Sequence, residues 1–269
     1  MPLTIATWNI NSVRLRIESV LRYLAEHKPD VLCLQETKCP ESEFPHGPLV
    51  KAGYGHILHR GMKGYNGVAI LSRRPLRPAD RLTFCGKEDA RHIAAVVEDD
   101  RGRPITLHNL YIPAGGDVAD RVENPKFGHK LDFLDELNAW SSTHIADNSR
   151  AVLVGDLNIA PLVNDVWNHK SLLTVVSHTP VETEALNAIR AAGQWTDAIR
   201  HLVPEPQRLY TWWSYRSTDW SAADKGRRLD HIWVGPELAG RIASHAVLRE
   251  ARGWERPSDH VPVSLTLSD

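Results

Sequence analysis

The sequence has no excess charge of either sign: 32 Lys and Arg against 33 Asp and Glu leave a formal net charge of −1. No global positive field draws a polyanion to it, so a phosphate-binding role would need Arg and Lys gathered on one face. Cysteine is scarce too. Cys33, Cys39 and Cys85 form an odd set without metal-ligand spacing. That argues against a disulfide framework and fits a reducing cytosol. Cys33, inside an apolar run, reads as a small buried hydrophobe. No apolar run reaches the length of a membrane span. Met1-Pro2-Leu3-Thr4-Ile5 lacks the basic start and long apolar stretch of a secretion signal, so a cytoplasmic location is expected.

Short apolar runs separated by turn signals are what the sequence does have. Leu3 to Trp8, Val31 to Gln35, Gly67 to Leu71, His92 to Glu98 and Ile105 to Tyr111 read as strands, as do Ala151 to Val154, Leu229 to Val234 and Val261 to Leu267. Helical spacing appears in Ile17, Val20, Leu21 and Leu24, with Ser12 as a possible N-cap. It recurs after Asn124-Pro125, where Phe127, Leu131, Leu134 and Leu137 share a face, and after the capping box Thr179-Pro180-Val181-Glu182. Mixed strands and helices indicate α/β layering. Asn138 to Arg150 could separate two halves but lacks linker composition, so residues 1–269 are read as one domain of two similar halves.

Polar residues crowd the predicted strand ends. Asn9 and Asn11 follow the first strand, Glu36 and Lys38 the second, and Tyr111 ends the strand from Ile105. Asp156 and Asn158 follow Ala151 to Val154, Asp230 lies in Arg228-Leu229-Asp230-His231, and Asp259-His260 precedes the last strand. Each has an ordinary reading alone: a turn at Gly155-Asp156-Leu157-Asn158, a surface acid at Glu36, a cap at Ser258-Asp259-His260, a strand end at Tyr111. Six such clusters together indicate strand ends converging on one pocket. Oxygen donors from Glu36, Asp156, Asp259 and the Asn side chains suit Mg²⁺, which usually keeps several waters. Asp156 with Asn158 could orient a water and accept its proton. His260 held by Asp230 could hydrogen-bond a phosphate. The chemistry that fits is phosphodiester hydrolysis.

The ordered set Trp8-Asn9-Ile10-Asn11, Leu34-Gln35-Glu36-Thr37-Lys38, Asn109-Leu110-Tyr111-Ile112-Pro113, Gly155-Asp156-Leu157-Asn158-Ile159-Ala160, Arg228-Leu229-Asp230 and Pro257-Ser258-Asp259-His260 resembles the exonuclease III family of AP endonucleases. Gly64-Tyr65-Asn66-Gly67, Ser177-His178-Thr179-Pro180 and Tyr210-Thr211-Trp212-Trp213 add to the likeness. The resemblance implies a four-layer αββα sandwich of two packed mixed sheets, DNase I-like, with the site between them. It implies a monomer that cuts duplex DNA 5′ to abasic sites, degrades 3′→5′ and cleans blocked 3′ ends, with Mg²⁺ as cofactor and Mn²⁺ as a substitute. Glu36 would bind the metal, with Asn9, Asn11, Asp156, Asn158 and Asp259 in or beside its shell. Tyr111, Asp156, Asn158, Asp230 and His260 would be catalytic, with the general base and acid left open among Asp156, Tyr111 and His260. Arg14, Tyr65, Arg91 and Lys170 would contact DNA, and Trp212 would flank a pocket for the abasic sugar. One of the adjacent Trp212 and Trp213 is expected in the core. Two departures stand out: Ala114, where many members carry an amide, and Arg227, where some carry a pocket-lining Trp. A phosphoinositide or sphingomyelin substrate would require an apolar lipid-facing loop, which the sequence lacks. A catalytically dead scaffold would require a lost site residue, and every core position is filled.

Overall fold

The computed structural model describes residues 2–269. In chain order the strands are β1 Leu3–Asn9, β2 Val31–Gln35, β3 His56–Arg60, β4 Val68–Ser72, β5 Arg77–Pro78, β6 His92–Glu98 and β7 Pro104–Tyr111. They continue with β8 Ala151–Asp156, β9 Thr196–Asp197, β10 Trp212–Trp213, β11 Gly226–Arg227, β12 Asp230–Val234, β13 Ile242–Val247 and β14 Val263–Leu267. One six-stranded sheet runs β13-β14-β1-β2-β4-β3 and the other β5-β6-β7-β8-β12-β9; β10 and β11 form a separate ribbon. Both large sheets are mixed, with one parallel pair each, β1 with β2 and β7 with β8.

Period-two alternation assigns each strand's faces. Leu3 and Ile5 of β1, Val31 and Cys33 of β2, and Val263, Leu265 and Leu267 of β14 point inward. There they meet Ile105, Leu107, Val152, Val154, Ile232 and Val234 of the other sheet in one core. The outer residues Ala6, Trp8, Leu32 and Leu34 pack under α1 (Ile17–His27) through Val20, Tyr23 and Leu24. On the other side Leu153 and Trp233 pack under α3 (Pro125–Thr143) and α5 (Pro180–Ala192) through Phe133, Leu134, Leu137, Leu186 and Ile189. Two short helices, α2 (His46–Lys51) and α4 (His169–Leu172), lie in the connections. The layers are therefore αββα, as the resemblance implies.

Several expectations shift in detail. Ser12 is not the cap of α1. It has φ 88°, the helix starts at Ile17, and its N-cap position is Arg16, without a side-chain cap. Asn124 does cap α3, accepting from the Lys126 N–H, while its amide ties the Gly115 and Val118 carbonyls. At α5 the carboxylate of Glu182 takes the Thr179 N–H and hydroxyl, and also forms a fully buried ion pair with Lys130 at 2.6 Å. The last strand starts at Val263 instead of Val261, because the Val261 N–H goes to Thr211 and Pro262 has no N–H to give. The edge strands β3 and β13 gave no apolar alternation because most of their side chains are partly or fully exposed. Trp213 is the core member of the tryptophan pair, 2% exposed.

A buried charge cluster fixes the start of β12. The Asp165 carboxylate accepts from both Arg200 and Arg228, and Arg228 also pairs with Asp197 at 2.6 Å. Removing the acid takes from buried Arg200 its carboxylate partner and from Arg228 one of two. Asp165→Ala is expected to cost about 3–5 kcal/mol in urea unfolding; an unchanged midpoint would contradict this account of the cluster.

Candidate active site

The site is where the inner faces of the strands run out of apolar residues. Along β1 the inward positions read Leu3, Ile5, Thr7, Asn9; along β2, Val31, Cys33, Gln35; along β7, Ile105, Leu107, Asn109, Tyr111. β8 continues Val152, Val154, Asp156, and β12 begins with Asp230 before Ile232 and Val234. The same alternation that builds the core therefore aims five strands' polar residues into the gap between the sheets. Gly155 allows the close packing this needs: at φ 145° a Cβ would lie 1.9 Å from the Leu110 carbonyl oxygen.

A layer of neutral amides closes the core beneath the charged groups. Asn109 donates across the gap to the Leu34 and Ala69 carbonyls at 3.0 and 2.8 Å, and Gln35 donates to Asn109 Oδ1 at 2.7 Å and to Thr7 Oγ1 at 2.9 Å. Asn9 sits above them. Its Nδ2 donates to Glu36 Oε1 at 2.9 Å and to Asp156 Oδ2 at 2.8 Å, while its Oδ1 accepts from the Asn11 N–H. Asn9 thus presents nitrogen to the carboxylates, the geometry of a strut. Asn11, Glu36, Lys38 and Asn158 have φ between 46° and 53°, a left-handed backbone that non-glycine residues adopt at a cost and that clusters at functional sites.

The rest of the cluster is joined by hydrogen bonds. Asn158 donates from its backbone to Asp156 Oδ1 at 2.9 Å and from its amide to the Ile112 carbonyl and to Asp156 Oδ2. His260 Nδ1 bonds Asp230 Oδ2 at 2.8 Å, and its Nε2 faces Asp156 Oδ2 at 3.7 Å. Thr211 donates its hydroxyl to Asp230 Oδ2 and accepts from the Leu229 and Asp230 N–H groups. Asp259 accepts from Asn11 Nδ2 at 3.1 Å and from Trp212 Nε1 at 2.9 Å. Ser258 holds the Asn9 carbonyl, and Trp8 donates to the carbonyl of His260.

The backbone of residues 158–160 is held from below by three side chains. Lys130 Nζ donates to the Asn158 carbonyl at 2.8 Å, His231 Nε2 contacts the Ile159 carbonyl at 2.8 Å, and His178 Nδ1 contacts that of Ala160 at 2.6 Å. None of these, nor Gln35, Thr211 or Arg228, was picked out from the sequence as a site residue. His231 and His178 lie 72 and 18 positions from the carbonyls they hold, and Thr211 lies 19 from Asp230, so only the tertiary fold brings them together.

Burial sets the electrostatics. It pushes the Asp156 carboxyl up, to about 7, helped by the charges of Asp230 and Glu36 and opposed by His260 and Asn9. For His260 burial pulls downward, but Asp230 and Asp156 outweigh it and lift the imidazole to about 10. Burial also raises Glu36 and Asp259, yet Lys38 and Asn9 hold Glu36 below the usual carboxylate range, and His260, Trp212 and Asn11 do the same for Asp259. Burial, reinforced by Glu36 and Asp156, keeps the Tyr111 phenol well above its ordinary value, so it is a neutral donor at pH 7.

Glu36, Asn158, Asp259 and His260 line a cleft of 740 Å³ whose walls include Trp167, Val176, Trp212, Arg216, Arg227 and Leu229. Arg227 lies over the Trp212 ring at 5.3 Å and donates to the Val176 carbonyl and Ser177 hydroxyl, so the Arg–Trp pair forms one wall; Ala114 is exposed at the rim. Among the DNA-contact candidates, Arg91 stacks on Tyr111 at 4.9 Å and pairs with Asp89, at the edge of the cluster. Arg14 is paired with Glu43. Tyr65 is 62% exposed and Lys170 lies exposed on α4, and among the described residues neither shares a hydrogen bond with the cluster. The oxygen-rich side formed by Glu36, Asn11 and Asp259 fits a hard divalent cation. Asp156, Asp230 and His260 also bring ligand-type atoms within 4.8 Å of one another. There the imidazole Nδ1 is already bonded to Asp230 at 2.8 Å.

Residues 6–260 match the endonuclease/exonuclease/phosphatase family. Exodeoxyribonuclease III of Haemophilus influenzae is 31% identical over 265 residues, 96% of this chain and 97% of its own length. Among solved structures, a 3′ phosphatase from Neisseria bound to a product DNA hairpin superposes with a TM-score of 0.89 at 32% identity, covering 99% of this chain and 100% of that one. An AP endonuclease from Archaeoglobus fulgidus gives 0.88 at 33% identity, with 99% and 100% covered. The chain belongs to the endonuclease/exonuclease/phosphatase family, in its exonuclease III and AP endonuclease branch.

The lifted imidazole has a consequence for stability. His260 in the metal-free fold binds its proton up to about pH 10, against an ordinary value of 6.5. Its contribution is therefore fully present below pH 6.5 and lost as pH rises through 10. In EDTA, urea unfolding is expected to show stability falling from pH 7 to 10, with a shallower fall in His260→Gln. Parallel curves for the two proteins would refute the pairing.

Proposed function

We propose that the chain is a Mg²⁺-dependent DNA-repair hydrolase that cleaves the phosphodiester 5′ to abasic sites in duplex DNA, with 3′→5′ exonuclease and 3′-end-cleaning activities. The observation that carries this reading is the hydrogen-bonded chain Glu36–Asn9–Asp156, facing an imidazole held by Asp230, beneath an open cleft that Glu36 and His260 line. Glu36, Asn11 and Asp259, with Asn9, Asp156 and Asn158 beside them, would hold the cation, and Mn²⁺ would substitute. Such an ion neutralises phosphate charge and the developing leaving oxygen.

The protein's own residues divide the remaining work. Asp156, its basicity raised by burial, takes the proton of the attacking water while Asn158 orients that water. His260 as imidazolium donates from Nε2 to a phosphate oxygen and stabilises the charge that grows there. The Tyr111 phenol, neutral and close to Glu36, offers a proton toward the departing 3′ oxygen. Water adds to phosphorus, the bond from phosphorus to the 3′ oxygen breaks, and the products are a 3′-hydroxyl and a 5′-phosphate. The Trp212–Arg227 wall favours a flipped-out sugar without a base over a full nucleotide. Arg14, Tyr65, Arg91 and Lys170 are assigned to the flanking DNA, where local cations would offset the near-neutral net charge. We assign these roles to one domain acting as a monomer on cytoplasmic, nucleoid DNA. The core shared by both sheets supports the single domain, and no helix among the described residues is long and apolar enough to cross a membrane.

An abasic duplex incubated with the protein and Mg²⁺ is expected to be cut 5′ to the lesion, leaving a 3′-hydroxyl, and EDTA is expected to abolish the cut. Absence of metal-dependent cleavage would end this reading. Asp156→Asn should lower kcat by about 10²–10⁴-fold; near-normal turnover would remove Asp156 from its role. Trp212→Ala should raise the rate on undamaged 3′ ends relative to abasic sites, measured side by side on the two substrates. An unchanged ratio would take specificity away from this wall.

A further inference from the structure

Lys38 has a position that the reaction leaves unexplained. It and Glu36 both adopt left-handed backbone, φ 49° and 48°, while Thr37 between them turns aside to His59. This brings the ammonium to 2.7 Å from Glu36 Oε2 and 2.6 Å from Asn11 Oδ1. Asn11 passes the contact on to Asp259 through its amide nitrogen. A cation of the protein's own therefore rests against two of the oxygens assigned to the divalent ion.

Its freedom to leave also differs from that of Lys130, the lysine beneath the Asn158 backbone. Lys130 is wholly buried, with Glu182 and two backbone carbonyls around it. The Lys38 side chain is 28% exposed. Its flexible stem and strongly hydrated ammonium can move into water.

We propose that Lys38 is the resident counter-ion of the metal-free site: its ammonium holds the Glu36 and Asn11 oxygens that the divalent cation takes, and withdraws when the cation enters. The inference rests on the metal reading given above. An ammonium at hydrogen-bond distance and an ion that needs its oxygens at about 2.0–2.1 Å in near-octahedral geometry compete for the same lone pairs. Lys38 keeps the carboxylates in place while no metal is bound, and each metal-binding event has to displace it.

The test is a Mn²⁺ titration read by the EPR signal of free Mn²⁺, together with thermal melting in EDTA. Wild type is expected to bind, Glu36→Gln to lose binding, and Lys38→Arg to resemble wild type. Lys38→Met, which keeps the length of the chain without the charge, should bind Mn²⁺ about tenfold more tightly. Its melting point in EDTA should fall below that of wild type and recover with Mn²⁺. Lys38→Gln should shift in the same direction, which guards against a packing effect peculiar to Met. Equal or weaker Mn²⁺ binding by both neutral variants would overturn the counter-ion role while leaving the metal site standing. A wild type that binds no Mn²⁺ would overturn the metal reading and the counter-ion with it.

Discussion

One carboxamide joins the two halves of the site. Asn9 gives the two hydrogens of its Nδ2 to Glu36, at the end of a strand in its own sheet, and to Asp156, at the end of a strand in the other. Two carboxylates this close, one of them fully buried, would otherwise repel, and each would draw a proton. The amide lets both remain acceptors and fixes their spacing. That spacing depends on how the sheets pack, so the inner core and the Asn109 strut beneath Asn9 are part of the chemistry. The Gln35–Asn109 layer spans the gap with bonds of 2.7–3.0 Å, while Gln35 Oε1 is buried without a hydrogen-bond partner.

On that frame the charges are sorted by burial and by neighbours. Asp156 and His260 are both displaced from their ordinary values, in directions that make one a better base and the other a persistent cation. Asp230 is buried, 1% exposed. It is held by the Thr211 hydroxyl and the imidazole, and Arg228, anchored on Asp165 and Asp197, sets the start of its strand. Fold stability and site geometry therefore share residues along β12. Ala114 and Arg227 lie on the walls of the cleft, outside the hydrogen-bonded cluster of acids and imidazole.

The sequence revealed the parts of this design that follow from local pattern. Strands with apolar inner faces were visible from alternation, and their polar ends marked Asn9, Asn11, Glu36, Tyr111, Asp156, Asn158, Asp230, Asp259 and His260, nearly all of which the fold gathers into one cluster. The edge strands β3 and β13 were not visible, because half-exposed strands carry mixed side chains. Ser12 looked like a cap by residue type, but its left-handed backbone belongs to the turn that follows Asn11. Gln35, Asn109, Lys130, Thr211 and His231 read as ordinary polar residues. Their importance comes from partners 18 to 75 positions away, which no local pattern encodes. Arg14, Tyr65 and Lys170 rested on charge and likeness alone, and they lie apart from the cluster.

The Asn9 amide sets the geometry of the two carboxylates, and the isosteric Asn9→Asp exchange removes both of its donors. Single-turnover cleavage of an abasic duplex at saturating Mg²⁺ is expected to slow by at least about a hundredfold, with duplex affinity and far-UV circular dichroism unchanged. A variant that cleaves at close to the wild-type rate would contradict the account.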